Sequence, residues 1–140
     1  MIRSILLTAD GGLLRFDSSA AERWRDSPGS VLWLDLENED PHAEEKLLLS
    51  LNINPMAISD AQRKRHPPKV EEFDHYTFML YRGFQQFDED LQIAHIQVAF
   101  FVGTNFLITR RDGNSIGIQS VWDQNNELAT YLKKPALLMM

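Results

Sequence analysis

The sequence predicts an α/β domain of the α+β type, in which a mixed, largely antiparallel sheet is flanked by helices. Apolar segments separated by tight turns recur along the chain, most clearly in residues 97–109, where two such segments surround a Gly-Thr-Asn turn. Other segments begin with Asp-Pro or Asn-Pro and carry apolar residues at helical spacing. Because the chain has 140 residues and 44% hydrophobic content, one domain is expected.

The first half of the chain predicts a hairpin, three helices and a buried strand. Residues 5–7 and 13–14 flank an Asp-Gly-Gly turn, whose glycines should supply the positive φ that a hairpin needs. Asp40-Pro41 predicts a helix start, because aspartate accepts backbone N–H bonds at the N-cap and proline fits the first turn. Asn54-Pro55 repeats that signal. The other two elements are a helix at 19–26 and a strand at 31–36, and the second Pro-opened helix should cover 56–62.

The second half predicts strands followed by helices. Residues 70–84 alternate with apolar side chains on both faces, which predicts one central strand covered on two sides. The acidic tip 88–90 predicts a turn, and strands at 93–102 and 106–110 would complete three consecutive antiparallel neighbours. Apolar residues between 116 and 122 predict a helix, and a further short one is expected at 127–132. We expect the domain to cover residues 1–134, with 135–140 as the truncated start of a longer helix.

Composition argues against several function classes. The net charge of -6 argues against a nucleic-acid surface, which needs a concentrated basic face. The basic residues 63–65, together with Lys69, are expected to form a solvated loop or an intramolecular ion-pair surface. The absence of cysteine excludes disulfides, thiolate zinc sites and cysteine nucleophiles. The apolar runs are also far shorter than the roughly 20 residues of a membrane-spanning helix.

The sequence predicts neither catalytic nor cofactor-binding residues, so the chain is not expected to be an enzyme. The motifs of serine hydrolases, zinc metalloproteases and P-loop NTPases do not occur. An acidic stretch could hold a hard cation through carboxylate oxygens, although acids at strand ends and helix starts also serve for capping alone. A metal-dependent hydrolase built on this stretch is the least favoured function. Its members are Asp35, Glu37, Glu39, Asp40, Glu44 and Glu45.

Four segments in order resemble the amino-terminal cytoplasmic domain of CorA-type divalent-cation channels, over roughly residues 30 to 123. They are a tryptophan-containing strand ending in an acid (32–36), a Pro-opened helix ending in an acid (54–60), a Pro-Pro-Lys-Val-Glu segment leading into aromatic residues (67–76) and the hairpin (97–109). The resemblance implies a cytoplasmic α/β domain that leads into a long stalk helix and, in the family, into a pentameric pore. Gly103-Thr104-Asn105 is not the family's pore tripeptide, because it lies in a hairpin without a preceding apolar span.

The resemblance also indicates one metal-binding residue, Asp60. Divalent ions bound between neighbouring cytoplasmic domains hold family members closed, and Asp60 matches one of the acids that sense them. The chain has Ser59 where many relatives have glutamate, and Pro67 where arginine is usual. The partner acid of relatives lies on the stalk, beyond Met140. From the residues alone, Asp60 could equally be a helix-surface acid that pairs with Arg63 or Lys64.

The resemblance therefore predicts the regulatory domain of a CorA-like divalent-cation transporter, with Mg²⁺ as the expected regulatory ion. Zn²⁺ or another divalent ion stays open, since ZntB-type relatives transport zinc. In the full-length protein we expect a pentamer at the cytoplasmic face of the inner membrane. The isolated chain should be a soluble monomer or weak oligomer. The alternative is a free-standing binding or scaffold module of the same fold without transport activity.

Overall fold

The computed structural model describes residues 1–16, 20–63, 66–84, 95–113 and 115–123. These residues form seven strands and four helices. The strands are β1 (Ile2–Leu7), β2 (Leu13–Phe16), β3 (Val31–Glu37), β4 (Lys69–Glu72), β5 (Thr77–Phe84), β6 (His95–Val102) and β7 (Phe106–Arg111). The helices are α1 (Ala20–Arg25), α2 (Pro41–Ser50), α3 (Pro55–Gln62) and α4 (Ile116–Asp123).

The strands form one sheet in the order β2-β1-β3-β7-β6-β5-β4. Every neighbouring pair in this sheet is antiparallel except β3 and β7, which run parallel in the register Leu34 to Ile108. The β3–β7 pair lies at the centre of the sheet and joins residues more than 70 positions apart. The predicted mixed, largely antiparallel sheet flanked by helices is confirmed.

Side chains alternate across the sheet and build one apolar cluster on each face. On the first face, Leu34 and Ile108 pack with Leu48 of α2 and Ile58 of α3. On the second face, Trp33 and Leu107 pack with residues of α4. The sheet is therefore the middle of three layers. In the two strands around the Gly-Thr-Asn turn, the side chains of Phe100, Phe101, Phe106 and Ile108 are all buried.

Local chemistry sets the turns and helix starts as predicted. Between β1 and β2, Gly11 takes a φ of +94° as predicted, whereas Gly12 does not have a positive φ. Asp40 accepts a bond from the backbone N–H of Ala43 at 3.1 Å, and Asn54 accepts one from Met56 at 2.9 Å, with a proline opening each helix.

The single strand predicted for residues 70–84 is wrong, because the chain turns back on itself there. Residues 73–76 form a tight turn in which the Phe73 N–H donates to the Tyr76 carbonyl at 2.9 Å. β4 then pairs antiparallel with β5 and becomes an edge strand. Stacking of the Phe73 and Tyr76 rings, with centroids 4.8 Å apart, accompanies the turn.

The Gly-Thr-Asn segment is the turn between β6 and β7, as predicted. The Gly103 N–H donates to the Phe106 carbonyl at 2.9 Å. A Cβ on Gly103 would lie 2.2 Å from the Phe106 ring, so glycine is required at this position. The predicted tip at 88–90, the predicted helix at 127–132 and the segment 135–140 lie outside the described residues, and the domain boundary at residue 134 stays a prediction.

Candidate functional site

Asp60 lies in the last turn of α3, where its carboxylate meets two basic side chains. Its Oδ2 is 2.5 Å from Lys69 Nζ, at the start of β4, and its Oδ1 is 3.6 Å from His66 Nε2. The aspartate side chain is 21% exposed and the lysine 28%. The carboxylate is therefore reachable from solvent, but a cation of the same chain already contacts it.

The lysine controls the ionisation of Asp60. Its hydrogen bond lowers the pKa of Asp60 from the ordinary value of 3.8, partial burial opposes this change, and the positive charge of Lys69 adds to it. At neutral pH the group is a carboxylate whose charge Lys69 balances. The partner that the structure describes is therefore Lys69, nine residues away along the chain. The charge of Arg63 also contributes to the lowered pKa, and Lys64 lies outside the described residues.

Two side chains from the sheet hold the carboxyl end of α3. Gln97 of β6 donates to the carbonyls of Arg63 at 2.7 Å and Ala61 at 3.3 Å, and its own oxygen accepts from the N–H of His66 at 2.9 Å. Arg110 of β7 also donates to Ala61, at 2.9 Å. These donors satisfy carbonyls that a helix end leaves without partners. They fix the position from which Asp60 projects.

Asp35, the first of the acids proposed from sequence as cation ligands, is a buried ion-pair residue. It is fully inaccessible and accepts from Arg111 Nη2 at 2.9 Å and Arg3 Nε at 2.7 Å. The hydroxyl of Thr109 donates to it at 2.7 Å, and the Trp33 indole N–H donates to that hydroxyl at 3.1 Å. The parallel register of β3 and β7 creates this group, because it sets Asp35 opposite Thr109.

The same group extends to α4 through aromatic contacts. The Arg3 guanidinium lies 4.1 Å from the centroid of the Trp122 ring, which meets Trp33 edge to face at 5.0 Å. One nitrogen of Arg3, Nη2, is buried without a hydrogen-bond partner among the described residues. On the second face of the sheet, the ion pairs of Asp35 are therefore covered by the side chains of Trp33 and Trp122.

Glu44 of α2 forms the matching buried pair on the first face. Its Oε1 lies 2.6 Å from Arg110 Nε, and both side chains are almost inaccessible. Burial raises the pKa of Glu44 from the ordinary value of 4.5, and attraction to Arg110 only partly offsets this rise. Arg110 also bonds Asp112 at 3.0 Å, so its positive charge is shared between two acids.

The remaining acids of the sequence-predicted stretch do not converge either. Glu37 pairs with Arg111 at 3.4 Å, Glu39 pairs with the amino terminus, and Asp40 caps α2. Glu45 is exposed on α2, beside the groove between α2 and α3 that Ser59 also lines. Within the described residues, no group of three or more His, Asp or Glu side chains could hold a metal ion. Five of the six acids in the stretch therefore form ion pairs or cap a helix, and the sixth, Glu45, is exposed.

Asp60 alone does not fit a complete magnesium site. Mg²⁺ requires near-octahedral oxygen ligands and is usually held by carboxylates together with water. Around Asp60 the structure places an ammonium and an imidazole, while Ser59 contributes no carboxylate. A divalent ion at Asp60 would need oxygens beyond those that the described residues place around it.

Sequence reasoning missed the partners that decide which acids are accessible. The sequence places Arg110 at the end of a predicted strand, and Lys69 in a basic cluster and in the Pro-Pro-Lys-Val-Glu segment, but it indicates no acid as partner for either residue. Two consecutive arginines at the end of a strand, followed by Asp-Gly, were a usable signal, because alternation sends them to opposite faces of a sheet that is covered on both sides.

The structure is that of an α/β domain in which the described residues assemble no metal-binding group. It has three layers, its buried acids are paired with arginines, and its candidate ion-binding acid lies at a helix surface. No helix among the described residues is long and apolar enough to cross a membrane. The chain belongs to the CorA-like family: the family model described as "CorA-like Mg2+ transporter protein" matches residues 28–140.

Solved structures share the fold. The full-length CmaX protein superposes with a TM-score of 0.69 at 16% identity, over 86% of this chain and 37% of that chain. The soluble domain of CorA from Methanocaldococcus jannaschii gives 0.63 at 16% identity, over 91% and 46%. The cytoplasmic domain of ZntB from Vibrio parahaemolyticus gives 0.59 at 16% identity, over 78% and 44%. These values confirm the predicted fold, and the family match confirms the predicted family.

The chain spans less than half the length of each of these structures. No curated protein sequence matches it significantly.

Proposed function

We propose that this chain is the cytoplasmic regulatory domain of a CorA-like divalent-cation transporter. The observation that supports it most strongly is the family match over residues 28–140, together with the fold shared with CorA and ZntB domains. The pairing of the buried acids with arginines favours a binding domain over a hydrolase, since it removes the carboxylates that a metal-dependent hydrolase would use. Magnesium is the proposed ion, and zinc is the alternative because the fold is also shared with the ZntB domain.

Transport is tested on the longest product of the gene that encodes this chain. When that protein is reconstituted in liposomes, it should carry Mg²⁺ down its concentration gradient. The rate of Zn²⁺ uptake, measured in the same liposomes, decides between the two ions. A free-standing module of the same fold, the alternative, would give no uptake of either ion and a gene product that ends near residue 140.

Asp60 is the proposed regulatory contact, and it would act only where two protomers meet. One carboxylate on a lone domain lacks the oxygens that a Mg²⁺ site needs, so a neighbouring protomer of a pentamer must complete it. High internal Mg²⁺ should then suppress uptake by the wild type and suppress it less in Asp60→Asn. Asp74→Asn is the matched control, because Asp74 is an exposed aspartate in the turn between β4 and β5. Equal suppression in both variants would reduce Asp60 to a structural acid.

The isolated chain is proposed to be a monomer or a weak oligomer. In the family that the chain resembles, the pentameric ring depends on stalk and membrane segments. No membrane-spanning helix occurs among the residues that the structure describes. Light scattering at micromolar concentration should give the mass of one chain. A pentamer that persists in high salt would contradict this.

A further inference from the structure

A groove between α2 and α3 is lined by two opposite charges that do not pair with each other. Its volume is about 320 Å³. Glu45 lines the groove from α2, and Arg63 lines it from the position that follows α3. Both residues are exposed, so a dissolved molecule can reach both charges. The other lining residues all belong to α3 and are Pro55, Ile58, Ser59 and Gln62.

The polar groups of this groove have bonding capacity that the fold does not use. Within the described ranges, the Glu45 carboxylate and the Ser59 hydroxyl form no hydrogen bond or ion pair. The Arg63 guanidinium forms none with a described residue either, although its charge acts on Asp60. The amide nitrogen of Gln62 donates to α2, which leaves its amide oxygen without a described partner. The groove therefore presents donors and acceptors of both charges to one bound molecule.

The two charges select the class of ligand. A simple cation would be attracted by Glu45 and repelled by Arg63, and a simple anion would experience the reverse. A molecule that carries one charge of each sign pairs with both. Its carboxylate would match the planar fork of Arg63, and its ammonium would donate to Glu45 and to the amide oxygen of Gln62. Pro55 and Ile58 add an apolar wall, and the volume suits a molecule of amino-acid size.

We propose that this groove binds an α-amino acid with an aliphatic side chain, held at its carboxylate by Arg63 and at its ammonium by Glu45. The inference goes beyond the proposed function and requires no metal ion at Asp60. Because both ion pairs would be exposed to water, the affinity should be low, with a Kd on the order of 1 to 10 mM. An occupied groove would link α2 to α3, since both helices line it.

The test titrates the isotope-labelled 140-residue chain with L-leucine and follows the backbone amide signals by NMR. The amides of Glu45, Ser59 and Arg63 should shift together and reach saturation. Two analogues lack one charge each: 4-methylpentanoate has no ammonium, and 3-methylbutylamine has no carboxylate. Each should bind about twofold to fivefold more weakly than leucine, because one ion pair is lost. Shifts that do not saturate, or an analogue that binds as tightly as leucine, would overturn the proposal.

Substitutions of the two charges assign the contacts. Glu45→Gln and Arg63→Gln should each weaken leucine binding about twofold to fivefold, whereas Glu72→Gln, at an exposed glutamate of β4, should bind like the wild type. The exchange Glu45→Arg/Arg63→Glu should bind more tightly than Glu45→Arg alone, because one charge of each sign is present again. Wild-type affinity in Glu45→Gln or in Arg63→Gln would contradict the proposal. The same spectra report whether each variant is folded.

Discussion

The buried carboxylates at the centre of the sheet and the surface carboxylate of α3 are both paired with basic side chains, but they differ in depth and in the number of partners. Asp35 is inaccessible and bonded by two arginines and a threonine, whereas Asp60 is 21% exposed and held mainly by one lysine. Removing a partner from a buried pair leaves a charge that water cannot reach, while the surface pair can exchange its lysine for water or for another cation. Of these two acids, only Asp60 can therefore exchange its partner without leaving a buried charge, which is the property that the proposed regulatory role needs.

The largest effect should come from the buried group. Asp35→Ala leaves Arg111 and Arg3 without their shared carboxylate, and breaking a buried pair in this way typically costs about 3 to 5 kcal/mol. Urea denaturation should show that loss in the free energy of unfolding. Asp74→Ala, in the exposed turn 73–76, is the control and should change stability little. A cost of under about 1 kcal/mol for Asp35→Ala would mean that the buried group is not structural.

Apolar packing on the same face of the sheet gives a reference for that effect. Phe100 is buried and stacks on the Tyr81 ring at 5.3 Å. Phe100→Ala should cost about 3 to 5 kcal/mol by creating a cavity, which the same denaturation experiment measures. A variant as stable as the wild type that had lost binding to lipid vesicles would instead identify Phe100 as a membrane-docking residue.

The pH dependence of stability should have opposite signs at Glu44 and Asp60. Burial raises the pKa of Glu44, so the stability that this group contributes is fully present below 4.5 and is lost as the pH rises through the folded-state pKa. The lysine hydrogen bond lowers the pKa of Asp60, so its contribution is present above 3.8 and is lost as the pH falls through the folded-state pKa.

Denaturation across the acidic range, with Glu44→Gln and Asp60→Asn as references, measures both signs. The stability of the wild type relative to Glu44→Gln should increase as the pH falls, and its stability relative to Asp60→Asn should decrease. If both stability differences changed in the same direction with pH, the opposite pKa shifts of Glu44 and Asp60 would be contradicted.

The smallest effect is expected for Asp60→Asn at neutral pH. A partly exposed pair contributes about 0.2 to 1 kcal/mol, so the variant should unfold at nearly the wild-type temperature. Added Mg²⁺ should leave the melting temperature of the isolated chain almost unchanged in both proteins. A large Mg²⁺-dependent stabilisation of the lone wild-type chain would reveal a complete site on one protomer.

Much of the fold could be predicted because its signals are local. The caps at Asp40 and Asn54 and the Gly-Thr-Asn turn are each decided within a few residues, and all three were confirmed. The turn at 73–76 was missed because side chains with strand-like alternation lie on both sides of it. Asp74, a residue type common in turns, was the available signal.

The partners of the acids could not be predicted, because they depend on contacts between distant strands. The register of β3 and β7 joins Asp35 to Arg111, 76 residues away, and no local pattern encodes that register. Asp60 was selected by family resemblance. The contact between Asp60 and Lys69 depends on where β4 lies relative to the end of α3, and the sequence pattern does not predict that position.

Limited proteolysis of the full-length protein tests most directly whether Asp60, rather than the buried acids, is the regulatory carboxylate. We predict that Mg²⁺ protects the cytoplasmic domains of the wild type and of Asp74→Asn, and that Asp60→Asn loses most of this protection while its stability without Mg²⁺ stays near that of the wild type. Protection in Asp60→Asn equal to that of the wild type would contradict the account and leave Asp60 as a helix-surface acid paired with Lys69.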